Sequence, residues 1–117
     1  MKPVMQTRTG KQGNCFSACM ASILELGIHE VPRALAGPYQ YQAAKDFLRP
    51  LGYTYERVPI TDVKPVGLHL IEGVSPRGGM HAVVGRDGRM IHDPHPHDGT
   101  GRGLAQPQLY GMITKLK

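Results

Sequence analysis

Fifteen glycines and ten prolines punctuate these 117 residues, and that density limits the chain to short elements joined by many turns. The longest stretch free of both runs from Asn14 to Leu26. Asn14 is a good helix N-cap, and Phe16, Cys19, Met20, Ile23, Leu24 and Leu26 recur at helical spacing over a broad apolar face. The sequence therefore predicts a mostly buried helix from Cys15 to Leu26. Gly27 is expected as its left-handed C-cap, with Ile28 against Ile23. A second helix is predicted over Tyr39 to Leu48, stopped by Pro50 and Gly52, with a short helical turn at Val31 to Ala36 between the two.

From Tyr53 the period changes to that of strands. Tyr53 to Val58 alternates, Val66 to Ile71 reads as a second strand, and Leu109 to Leu116 as a closing one. Met80 to Gly85 and Arg89 to His92 flank Arg86-Asp87-Gly88, a strong hairpin signal. Helices first and strands second predict an α+β domain, its antiparallel sheet packed on the N-terminal helices.

Composition narrows the class. With 40% hydrophobic and 20% charged residues, the chain is globular, and its length suits one domain over 1–117. No apolar run approaches the roughly 20 residues that cross a bilayer, and the start carries no apolar stretch of signal-peptide length. A cytoplasmic protein away from the membrane is the expectation. In that reducing compartment Cys15 and Cys19 are expected as thiols rather than a disulfide.

The two cysteines differ in what their positions offer. Cys15 is the first residue of the predicted helix, where the dipole and unpaired amides favour an anion, so its thiol pKa is expected to fall. Its backbone amide would also point to where an oxyanion forms. Cys19, one turn on, faces the apolar side and reads as core. A base has to reach Cys15 from the strand half, and His81 opens the strand His81-Ala82-Val83-Val84. Across the Asp87-Gly88 turn, Asp93 returns to the same edge, placed to orient the imidazole. Ser75 to Gly79, rich in glycine and beside His81, is expected as a flexible lip over the cleft.

Gly13-Asn14-Cys15-Phe16-Ser17-Ala18-Cys19-Met20-Ala21-Ser22-Ile23-Leu24, His81-Ala82-Val83-Val84 and His92-Asp93-Pro94 together resemble the papain-like cysteine peptidases. The resemblance is closest to the bacteriocin-processing, double-glycine leader peptidase branch, and to its small uncharacterised bacterial and phage members. About twenty-five residues carry it. It implies a papain-like fold and a thiol hydrolase, with Cys15, His81 and Asp93 as the triad. No cofactor or metal is needed, and the substrate would be a protein or peptide. The family also carries a Gln about six residues before the nucleophile to complete the oxyanion hole. Thr9 stands there; allowing for the Gly-rich loop, Gln6 is the first choice and Gln12 the second. Phe16 follows the nucleophile where the family often has Gly.

Rival readings remain at this level. A papain-like frame can serve as a non-catalytic binding or inhibitor module, and the same triad can transfer an acyl group instead of hydrolysing it. His92 to Asp98 holds three His and two Asp, an invitation to a metal, but its prolines force alternating side-chain directions. The formal charge of +5 comes from basic residues scattered along the chain with no nucleic-acid motif. Nucleic acid is not expected as a partner, and the charge suits steering of an acidic protein substrate instead.

Overall fold

A computed structural model describes residues 1–9, 13–96 and 101–117. Among them are two α-helices and a five-stranded sheet, an α+β architecture. Helix α1 spans Cys15–Leu24 and α2 spans Gln40–Leu48, with short 3-10 turns at Ile28–Glu30, Arg33–Ala36 and Arg49–Leu51. The strands are β1 (Tyr53–Pro59), β2 (Leu68–Val74), β3 (Met80–Arg86), β4 (Arg89–His92) and β5 (Gln106–Lys115). Their order in the sheet is β1-β5-β2-β3-β4, every neighbouring pair antiparallel.

Helix α1 is buried on nearly all sides, from Phe16 to Ser22. It packs with Leu35 and Leu48 against Tyr55, Leu70, Ala82 and Val84 of the sheet. Phe16 meets the Tyr55 ring edge-on, with centroids 5.4 Å apart. The hairpin between β3 and β4 forms as expected. Asp87 and Gly88 both have positive φ (52° and 87°), which suits the twist of the flanking strands.

Several boundaries move. Helix α1 ends at Leu24, and Glu25 takes the left-handed conformation at φ 59°, while Gly27 is extended at φ −74°. The closure is still of Schellman type, with the Leu26 amide donating to the Ala21 carbonyl at 2.9 Å. Leu26 then packs against the core, and burying that side chain fixes the turn two residues earlier than the glycine suggested. Strand β2 begins at Leu68, past Pro65 and Gly67, rather than at Val66. Strand β5 begins three residues before Leu109 and lies between β1 and β2.

Asn14 occupies the N-cap position as expected, its carbonyl accepting the Ala18 amide at 3.0 Å, but its side chain is used elsewhere. Its side chain makes no capping bond; Oδ1 accepts the amides of Thr7 and Arg8 at 2.9 and 3.0 Å, and Nδ2 donates to Thr7 Oγ1 at 2.9 Å. The extended N-terminal segment is thereby tied to the start of α1. Ser22 holds the same segment further along, its Oγ accepting the Val4 amide at 2.9 Å. On the other side the Gln6 amide donates to the Pro94 carbonyl at 2.9 Å, and His92 Nε2 lies 2.8 Å from the Val4 carbonyl. This segment is a strap between α1 and the end of β4.

Candidate functional site

The strap, the start of α1, the start of β3 and the segment after β4 enclose one cleft, and Gln6, Cys15 and His81 all line it. Cys15 is partly exposed there, whereas Cys19 is fully buried in the core; both are free thiols. The split between one accessible and one packing cysteine therefore stands.

The expected drop in the Cys15 pKa does not. Burial is the largest influence and pushes the thiol above its ordinary value. The amides of Ala82 and Phe16 pull it back in part, and the nearby charge of Glu72 raises it further. The amides at the helix start still favour the thiolate, but the loss of solvent around the sulfur outweighs them. The influence of the Ala82 amide nevertheless places the Cys15 thiol beside the residue that follows His81.

His81 is 5% exposed and Asp93 1%, and they are bonded to each other, Nε2 to Oδ1 at 2.8 Å. Asp93 also accepts the Gly103 amide on Oδ2 at 2.7 Å and the His95 amide on Oδ1 at 2.9 Å. Burial alone would raise this carboxyl, but those two amides and the imidazole hold it below the usual carboxylate range. An ionised carboxylate only accepts, so His81 Nε2 carries the proton and donates it. Nδ1 is then the basic nitrogen of the neutral ring. Burial dominates at His81 too and lowers its pKa; Asp93 opposes this and Arg77 adds to it. Both shifts favour the uncharged forms, a thiol at Cys15 and a neutral imidazole at His81. His95, its ring edge-on to His81 at 6.1 Å, forms a further part of the cleft.

Gln6 is 6% exposed. Its Nε2 donates to the Arg8 carbonyl at 2.7 Å, while its Oε1 has no partner among the described residues. Gln12 lies outside the described residues. Ser75 to Gly79 is braced rather than loose: the Ser75 amide donates to the Gly79 carbonyl at 2.8 Å, and Ser75 Oγ accepts the Arg77 amide at 3.0 Å.

Sequence reading missed a buried polar group in the same cleft. Glu72 accepts Tyr55 Oη at 2.7 Å and Arg57 Nε at 3.0 Å, and its second oxygen is 3.0 Å from the Arg57 terminal nitrogen. Arg57 also donates to Gln40 Oε1 at 3.1 Å and lies over the rings of Tyr41 and Phe16. The signal was an acidic residue inside the apolar run of β2, a position that a charge occupies only with a partner.

His92 and Asp93, read as metal candidates, are committed to the strap and to His81, and His97 and Asp98 lie outside the described residues. No group of three metal-ligating side chains is found among the described residues. No described helix is long and apolar enough to cross a membrane. In comparisons with known proteins, no family model, no curated protein and no solved structure matches this chain.

Proposed function

We propose that this chain is a cysteine-dependent hydrolase on a single papain-like domain, cleaving an amide bond in a protein or peptide. The observation that carries the reading is the shared cleft. Cys15 opens α1 in it, and His81 enters it already oriented by a buried, ionised Asp93. As Cys15 Sγ attacks the substrate carbonyl carbon, its proton passes to His81 Nδ1. The carbonyl oxygen becomes an oxyanion, for which the Cys15 amide and the Gln6 carboxamide are the donors. His81 returns the proton to the departing amine, leaving a thioester. Water then attacks that thioester, His81 takes its proton, and the acid and the free thiol are released.

With the uncharged form favoured at both Cys15 and His81, proton transfer accompanies attack rather than preceding it. Two free thiols suit a reducing, cytoplasmic setting. The raised thiol pKa also favours a second reading, a non-catalytic binding module on the same frame. Alkylation by iodoacetamide, read residue by residue by mass spectrometry, separates the two. Cys15 should label faster than Cys19 near neutral pH, and more slowly in a His81→Ala variant. A folded protein in which Cys15 reacts no faster than Cys19, or in which His81→Ala changes nothing, would defeat the hydrolase reading. Transfer to an acceptor other than water would appear as a second product when amines are added.

A further inference from the structure

Part of the charge that looks dispersed along the sequence converges in space. Four of the chain's eight arginines line the Cys15 cleft: Arg8, Arg33, Arg57 and Arg77. None of the lysines among the described residues does. The one carboxylate among the described residues of that lining, Glu72, is engaged by Arg57 and Tyr55. Among the described residues, Arg8, Arg33 and Arg77 have no carboxylate partner in the cleft. They arrive from three separate elements: the strap that carries Gln6, the 3-10 turn at Arg33–Ala36, and the braced turn at the start of β3. All three residues are exposed. Arg77 donates to the Gly101 carbonyl, a neutral acceptor that does not offset its charge.

Three guanidinium groups with no carboxylate partner among the described residues surround the cleft that holds Cys15, and their summed field favours an anion there. Arginine in place of lysine adds the planar fork that matches a carboxylate with two parallel hydrogen bonds. We propose that the substrate is acidic, a peptide segment whose Asp or Glu side chains are gripped by Arg8, Arg33 and Arg77 around the bond presented to Cys15. This rests on the hydrolase reading, and it names the substrate class that reading leaves open.

Two alkylating reagents of the same reactive group and opposite electrostatic character test it. Iodoacetate is an anion and iodoacetamide is neutral; with each, the Cys15 thiolate displaces iodide. The ratio of the two rates at Cys15, divided by the same ratio for N-acetylcysteine, reports cleft charge independently of thiol strength. At low ionic strength that quotient should be raised about tenfold and should collapse in high salt. The combined Arg8→Gln, Arg33→Gln, Arg77→Gln variant should abolish it, while Arg49→Gln and Arg89→Gln, which lie outside the cleft, should not. A quotient near one in the wild type, or one that survives the combined variant, overturns the proposal. Reactivity toward iodoacetamide alone judges the hydrolase reading, so the two failures are distinct.

A second measurement needs no chemistry at Cys15. With Cys15→Ala, a short fluorescein-labelled peptide of alternating Glu and Ala should bind at least about tenfold more tightly than one of Ser and Ala, in a salt-sensitive way. Equal binding of the two peptides, or none, refutes it.

Discussion

Asp93 uses both carboxylate oxygens, and that makes it more than a partner for His81. Oδ1 meets the imidazole and the His95 amide, and Oδ2 meets the Gly103 amide. Asp93→Asn keeps the shape but puts an N–H donor where an acceptor was needed. Either the His81 ring takes the other tautomer or the Gly103 amide loses its partner. The expected outcome is a fall in kcat/KM of about two to four orders of magnitude, mostly in kcat. Steady-state kinetics on an acidic peptide would show it. A variant with near wild-type kcat would mean that Asp93 only shapes the loop. At this scale the sequence was informative for Cys15, His81 and Asp93, because a helix start and a two-residue hairpin place them almost without tertiary information. It was misleading for the Cys15 pKa, since desolvation depends on what the sheet covers. It was silent on Glu72 and the arginines, whose convergence needs the whole topology.

At the scale of elements, β5 is the piece local pattern could not place. Its hydrophobic alternation marks a strand, but nothing nearby in sequence says that it inserts between β1 and β2. Gly111 records the fit. It pairs with Arg57 on one side and Leu70 on the other, and a methyl added there would overlap the Tyr55 hydroxyl and ring. Tyr55 is fully buried and bonded to Glu72, so it cannot simply move aside. Gly111→Ala should therefore lose about 1–3 kcal/mol of stability by overpacking, visible as a lower urea midpoint with unchanged m-value. A midpoint equal to wild type would show that the sheet has slack at its centre. The Glu25 turn and the role of Asn14 illustrate the same limit. Gly27 was the better local candidate for the turn, and a capping bond for the Asn14 side chain, yet burial of Leu26 and tethering of the strap decided otherwise.

For the whole molecule, the His81–Asp93 pair implies a direction of pH sensitivity. His81 binds its proton less readily in the folded protein than the usual value of 6.5. The unfolded chain therefore takes up a proton first as pH falls below that value, and stability declines. Asp93 is also held below its ordinary value of 3.8, so its contribution is present above that pH and is lost on further acidification. Both effects run the same way. Urea midpoints measured from pH 7.5 downward, each pH being a choice of about one unit's spacing around those values, should fall in wild type and fall less steeply in His81→Gln. A wild-type midpoint that is flat or rises with acid would contradict the assignment. The strap has a kinetic consequence as well. The bond from the Gln6 amide to the Pro94 carbonyl joins points far apart in sequence, and closing so long a loop comes late in folding. Cleft geometry then depends on the final closure rather than on α1 or the β3–β4 hairpin alone. On refolding, helical circular dichroism should recover ahead of selective Cys15 chemistry, making the thiol a reporter of the last step of assembly.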